Sequence, residues 1–171
     1  MEEFEIDRCS EKEYVLNKVK EKGSLLEFAS DILKDDKQVA MTAVNQDGNA
    51  LEFVSPRLKG DKEVVLQSVS KVGWTVCYAN EELRNDRQVI LTAVKVNGQE
   101  LYYASEQLRD DYEIVKEAVQ NKGLILKYAS KRLRANKEII MTAIKSDKRA
   151  KEYISDENIK NDEDIIKLLE T

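Results

Sequence analysis

Residues 73–97 read GWTVCYANEELRNDRQVILTAVKVN, and residues 98–122 follow at once as GQELYYASEQLRDDYEIVKEAVQNK. Written one above the other, the two lines share Gly at position 1, Tyr at 6, Ala at 7, Leu at 11 and Asp at 14. They also share an apolar pair at 17 and 18 and Ala-Val at 21 and 22. The same register extends in both directions. Gly23, Gly48, Gly73, Gly98 and Gly123 recur every 25 residues, and Lys148 takes the next slot. Residues 23–147 therefore form five regular repeats. Residues 148–171 form a degenerate C-terminal capping repeat, and residues 1–22 an N-terminal partial one, of which 11–22 match the second half of a unit. A period of this length is the signature of stacked supersecondary units that cannot bury their apolar faces alone.

Each column has a physical reading. Position 14 is Asp36, Asp61, Asp86, Asp111 and Asn136, directly ahead of apolar residues at helical spacing, as in Val89, Ile90, Ala93 and Val94. Asp and Asn there cap the free N–H groups of a helix of about ten residues, here helix B. Position 13 is a competing cap, because Gln or Glu follows three residues later. The next Gly is expected to end helix B in the left-handed conformation. In the first half of the unit, position 8 is Ser30, Ser55, Asn80, Ser105, Ser130 and Ser155, and Pro56 follows Ser55. Ser followed by Pro looks like an N-cap and first helical residue. This half is therefore split into a short helix A and a Ser-capped turn or short helix over positions 9–12; the alternative is one helix kinked at Pro56. The column Phe28, Phe53, Tyr78, Tyr103, Tyr128 and Tyr153 is expected to form an aromatic ladder. The fold class that follows is all-α, an α-solenoid of about six 25-residue repeats. The sixth unit places Lys151 and Asn158 where Leu is expected.

Composition agrees with a helical protein that has a large exposed surface. Charged residues make up 36% of the 171, and Gly (6) and Pro (1) are too scarce for flexible linkers. Asp and Glu (33) exceed Lys and Arg (28), and the net charge of −5 disfavours general nucleic-acid or anionic-membrane binding while leaving room for a local basic patch. Cys9 and Cys77 lie in no metal-ligand spacing and fit thiols in a reducing compartment. The segment MEEFEIDR has no apolar signal core, and no run approaches the roughly 20 apolar residues that span a bilayer. A cytoplasmic protein with no membrane partner is expected.

Units of the form GxxLxYASxxLxxDKEVVLxAV, clearest in residues 73–97 and 98–122, resemble the tandem repeats of the domain-of-unknown-function family numbered four-one-one-six. The resemblance extends over nearly the whole chain. It implies an α-helical repeat module, often one part of a longer protein. It implies no activity, and no functional residue is carried over from it.

Little in the chain looks like chemistry. There is no His, so the commonest general base and the usual ligands of catalytic zinc are missing. The glycines lie 25 apart and form no phosphate loop. The expectation is a non-enzymatic protein without cofactor or metal. Two features have a functional reading. Position 12 is always basic (Lys34, Lys59, Arg84, Arg109, Arg134), and position 15 adds Lys37, Lys62, Arg87 and Lys137. Stacked in register, these would form a stripe for phosphates or an acidic peptide. Alternatively, position 12 is a cation at the end of a helical segment, neutralised by the Asp of position 14. Trp74 stands alone in a variable column and is either an interface anchor or packing against its neighbours, and Tyr102 and Tyr112 are aromatic where other units vary. Fixed framework columns beside variable ones favour a protein-interaction module with a protein or peptide partner. The alternative is nucleic-acid or other phosphate binding through the Lys/Arg column.

Overall fold

The computed structural model describes residues 4–170, in which every regular element is an α-helix or a 3-10 helix. The α-helices are α1 (Lys12–Glu21), α2 (Asp31–Lys34), α3 (Lys37–Gln46), α4 (Lys62–Val69) and α5 (Glu81–Arg84). They continue as α6 (Arg87–Val96), α7 (Tyr112–Asn121), α8 (Lys137–Ser146), α9 (Glu157–Lys160) and α10 (Glu163–Glu170). The chain divides into two compact units, Met1–Val89 and Ile90–Thr171.

The long helices are the B helices, and position 14 caps them. Asp36 accepts from the N–H of Gln38 and Val39 at 2.9 and 3.1 Å, Asp61 and Asp86 do the same for their own helices, Asp111 accepts from Ile114 N–H, and Asn136 from Ile139 N–H. Position 13 is not a cap. Position 8 opens the short segment, as expected: Asn80 Oδ1 accepts from Leu83 N–H at 2.9 Å, and Ser130 Oγ from Leu133 N–H at 3.2 Å. The short segment is α-helical in α2, α5 and α9 and a 3-10 turn at Leu58–Gly60, Leu108–Asp110 and Leu133–Ala135.

The first half of each unit is a six-residue 3-10 helix, as in Gly48–Phe53 and Gly123–Tyr128, and not a short α-helix. Positions 1, 4 and 7 are buried together, for example Gly123, Leu126 and Ala129. That spacing of three is the period of a 3-10 helix. The left-handed glycine is also not found, because no glycine has a positive φ. Instead α3 ends at Gln46, Asp47 is extended with φ −139°, and Gly48 opens the next 3-10 helix. Position 1 is glycine because the B helix of the same repeat lies against it. A Cβ on Gly48 would lie 3.0 Å from the Ser68 carbonyl oxygen.

Within the first unit α1, α3 and α4 pack in succession, with the 3-10 helices Gly23–Phe28, Gly48–Phe53 and Gly73–Tyr78 alongside one another. Within the second unit α7, α8 and α10 do the same beside Gly98–Tyr103, Gly123–Tyr128 and Lys148–Tyr153. Val39, Ala40, Ala43 and Val44 of α3 and their counterparts in α7 have no exposed surface. Three kinds of polar stitch tie a repeat to its neighbour. The backbone N–H of position 8 donates to the carbonyl of the previous position 12, as Ser55 to Lys34 at 3.1 Å and Ser130 to Arg109 at 3.0 Å. The ammonium of position 15 reaches the next position-14 cap: Lys12 to Asp36 at 2.7 Å, Lys37 to Asp61 and Lys62 to Asp86 at 2.8 Å. The hydrogen bond from Lys12 holds the Asp36 carboxyl below its ordinary pKa.

The third stitch is where position 13 acts. Asp35 takes the Ser55 hydroxyl and, at 3.0 Å, the Arg57 guanidinium; Asp110 does the same for Ser130 and Arg132. Where position 8 is the longer Asn80, position 13 is Gly60, and a Cβ there would meet the Asn80 amide nitrogen at 2.7 Å. Position 13 thus bonds to position 8 of the next unit at Asp35 and Asp110, and makes room for it at Gly60.

The sixth unit departs from the register by one residue. Ser155 N–H still bonds to the Arg134 carbonyl, but Asp156 caps α9 and Asp162 takes the ion pair with Lys137 at 2.8 Å. Asp162 N–H bonds to the Ile159 carbonyl, as Asp61 does to Leu58. Ile159, not Asn158, thus occupies the place expected for Leu.

Candidate partner-binding face

The position-12 side chains are half-buried and do not stand free as a stripe. In the first unit Lys59 Nζ donates to the Glu52 carbonyl at 2.6 Å and lies 5.6 Å from the centre of the Tyr78 ring. Burial lowers its pKa. In the second unit the Arg109 guanidinium donates to the Tyr102 carbonyl at 2.5 Å. Glu52 and Tyr102 both occupy position 5, near the C-terminal end of a 3-10 helix, where a cation meets exposed carbonyls. The Nε atoms of Arg84, Arg109 and Arg134 are buried and have no acceptor. Lys34 is half-buried on the last turn of α2. At Lys59 and Arg109 the cation thus meets the end of the 3-10 helix of its own repeat, not the end of the short segment that it closes.

The same geometry joins the basic column to the aromatic residues. Trp74 is 42% exposed and packs on Tyr78 with ring centres 5.4 Å apart, so Lys59, Tyr78 and Trp74 form one contiguous cluster in the first unit. In the second unit Tyr102, 53% exposed, meets Tyr103 at 5.1 Å and Tyr128 at 5.3 Å, both edge-to-face. Such edge-to-face pairs are the favoured aromatic geometry. The ladder in this unit passes through Tyr102, which lies outside the expected column. Lys127 Nζ sits 4.7 Å from the Tyr128 ring centre, and Arg109 holds the Tyr102 backbone. Tyr112 does not join this cluster. It lies at the start of α7, bonded to Glu138 and Lys116.

The position-15 cations Lys37, Lys62 and Lys137 are used in ion pairs with the next cap and are not part of this face. Tyr78, Tyr103 and Tyr128 are expected from the sequence only as an aromatic ladder and not as part of a binding face, and Lys127 is not singled out at all. Their signal was the neighbouring placement of positions 5, 6 and 12, which becomes visible only once positions 1–6 are wound as a 3-10 helix.

Glu100 is the one buried carboxylate among the described residues, 3% exposed, with Asn97 Nδ2 donating to it at 2.8 Å. Burial raises its pKa, and the Asn97 bond opposes part of that. A raised folded value means the native state holds the proton more tightly than the unfolded chain. Stability therefore falls as pH rises from the ordinary carboxylate value, about 4.3, through the raised folded one. Glu100→Gln keeps the acceptor for Asn97 and removes the charge. It is expected to be more stable than the parent at pH 7 by about 1 kcal/mol, a gain that vanishes near pH 4. Urea melts of both proteins across that range check this. A variant less stable at both ends would show that the carboxylate is needed.

No group of three or more His, Cys, Asp or Glu among the described residues is arranged to hold a metal ion. No helix among the described residues is long and apolar enough to cross a membrane.

Fold and surface together define a tandem helical-repeat protein. The family model described as "Domain of unknown function (DUF4116)" matches residues 11–59, 61–109 and 111–158, and the chain belongs to that family. The three matches begin at Glu11, Asp61 and Asp111, which are the N-cap residues of α1, α4 and α7, so each takes in two successive B helices. No curated protein and no solved structure matches the chain.

Proposed function

We propose that the protein is a non-enzymatic interaction module, an α-solenoid that binds a protein or peptide partner through the exposed aromatic residues of its 3-10 helices. The observation that carries this reading is the Tyr102–Tyr103–Tyr128 cluster with Lys127 at its edge. The B helices, the position-14 acids and the position-15 lysines are used up in packing and stitching the repeats. Trp74 at position 2 and Tyr102 at position 5 remain substantially exposed. Large aromatic side chains such as Trp and Tyr are enriched in binding hot spots.

The test compares the parent chain with Trp74→Ala and Tyr102→Ala as baits in lysate, with and without nuclease. A specific protein partner that survives nuclease and is recovered at least about tenfold less well with one of the folded variants supports the reading. Recovery that is unchanged by both variants removes it. Recovery that disappears with nuclease, and with salt raised from roughly 50 to 200 mM, favours instead phosphate binding through Lys34, Lys59, Arg84, Arg109 and Arg134.

A further inference from the structure

The fifth repeat differs from its predecessors in charge, and its position 13 is an alanine that faces a serine in the next repeat. Residues 122–151 contain Lys122, Lys127, Lys131, Arg132, Arg134, Lys137, Lys145, Lys148, Arg149 and Lys151, against only Glu138 and Asp147. Many of these cations are already paired: Arg132 with Asp110, Lys137 with Asp162 and Asp164, and Arg149 with Asp147. Lys127 and Lys131 are exposed and have no carboxylate partner among the described residues. Lys127 lies against the Tyr128 ring, and Lys131 follows it four residues on in the sequence.

At the preceding junction Asp110 fills the space between repeats and accepts from Ser130 and Arg132. At the junction after the fifth repeat the equivalent residue is Ala135, and the Ser155 hydroxyl turns to the Lys131 carbonyl at 2.8 Å. A cleft of about 530 Å³ opens there, lined by Lys131, Arg132, Ala135, Ser155, Asp156 and Glu157. The two acids are engaged: Asp156 caps α9 through Asn158 N–H at 2.9 Å, and Glu157 pairs with Lys160 at 2.5 Å.

We infer that this edge of the second unit receives an acidic peptide segment, with a carboxylate of the partner in the Ala135 cleft beside Lys131. Apolar or proline side chains of the same segment lie over Tyr102 and Tyr128 beside Lys127. The inference rests on the interaction reading above and adds the chemistry of the partner. The cleft takes the kind of group that every Asp at position 13 already supplies inside the array. A single carboxylate fits better than a polyphosphate chain, because Asp156 and Glu157 on one wall oppose every added negative charge and Lys131 offsets one.

The experiment uses the full chain, isotopically labelled for amide spectra. It is titrated with a peptide of repeating Glu-Pro-Leu-Asp, with the same peptide carrying Gln and Asn, and with oligothymidylate. The expected result is amide shifts over Tyr102, Tyr128 and Lys131 to Ala135 with the acidic peptide. Affinity falls about tenfold or more in Lys127→Glu/Lys131→Glu. It stays within about twofold in Lys145→Glu/Lys148→Glu, which makes the same change in net charge elsewhere on the unit. Equal binding of the Gln/Asn peptide overturns the acidic chemistry and leaves the aromatic face standing as a docking site. Preference for oligothymidylate, or an equal loss in both charge variants, overturns the inference in favour of nucleic acid or unspecific attraction. If no probe shifts these amides, the inference fails, while the interaction reading is still decided by the capture with Trp74→Ala and Tyr102→Ala.

Discussion

Replacing Gly123 by alanine is expected to lower stability by about 3 kcal/mol, at the upper end of the usual cost of overpacking a filled interior. The new Cβ would run into the Ala143 carbonyl oxygen and would lie 2.9 Å from Asp147 N and 3.1 Å from the Ala143 carbonyl carbon. All three are backbone atoms of α8 and its C-terminal cap, so no side chain can rotate to make room. The glycine has an ordinary negative φ. Alanine therefore adds no backbone strain at this site, and the unfolded-state effect alone would favour it by about 0.4–1 kcal/mol. A large loss is then attributable to the steric contact. Gly60→Ala is the control, because the only close atoms there belong to the Asn80 side chain, which can shift. Urea denaturation with an unchanged m-value checks both, with the midpoint falling steeply for Gly123→Ala and little for Gly60→Ala. If Gly123→Ala melts with the parent, the glycine column is not set by packing.

The second large effect is expected at Leu126→Ala, about 3–4 kcal/mol, within the range for emptying a fully buried leucine site. Leu126 has no exposed surface and sits in a 3-10 helix packed against α7, α8 and the next 3-10 helix, Lys148–Tyr153. Lys151 occupies the same position one repeat later and is exposed. Lys151→Ala should change stability by less than about 0.5 kcal/mol. The pair separates what a repeat position is from what covers it. Equal losses at both sites would mean that position 4 acts through its own helix and not through the neighbouring repeat.

Much of this architecture is legible in the amino-acid sequence because repetition averages out local ambiguity. The Asp column at position 14 and the Ser or Asn column at position 8 mark helix starts, and both cap as their chemistry requires. The 3-10 winding was legible too, in the spacing of Gly, Leu and Ala at positions 1, 4 and 7. Over so few residues, however, a spacing of three is hard to tell from the 3.6 of an α-helix. Glycine at position 1 was assigned to a left-handed turn because that is its common role at helix ends, whereas here the space it leaves is what matters. The match of Asp35 with Ser55, and of Gly60 with Asn80, joins residues 20 apart in different repeats. A column-by-column comparison does not look across such a pair. The aromatic face was visible only as scattered residues. The sequence marks Trp74 and Lys59 separately, and Tyr78, which connects them, reads as one rung of an aromatic ladder.

The lysine rungs of the first unit have a consequence for how such a chain changes length. Each rung links position 15 of one repeat to position 14 of the next, so the bond chemistry is the same at Lys12–Asp36, Lys37–Asp61 and Lys62–Asp86. Removing residues 37–61 would join Asp36 directly to Lys62. Every cap would keep a lysine before it, and every lysine a cap after it. Duplicating that segment would preserve the pattern equally well. Chains built this way can lengthen or shorten by whole periods with each lysine rung unaltered, while any other step throws the rungs out of phase. In the sixth unit the cap Asp162 meets Lys137 one residue late and is followed by Glu163, where a lysine would carry the rungs on.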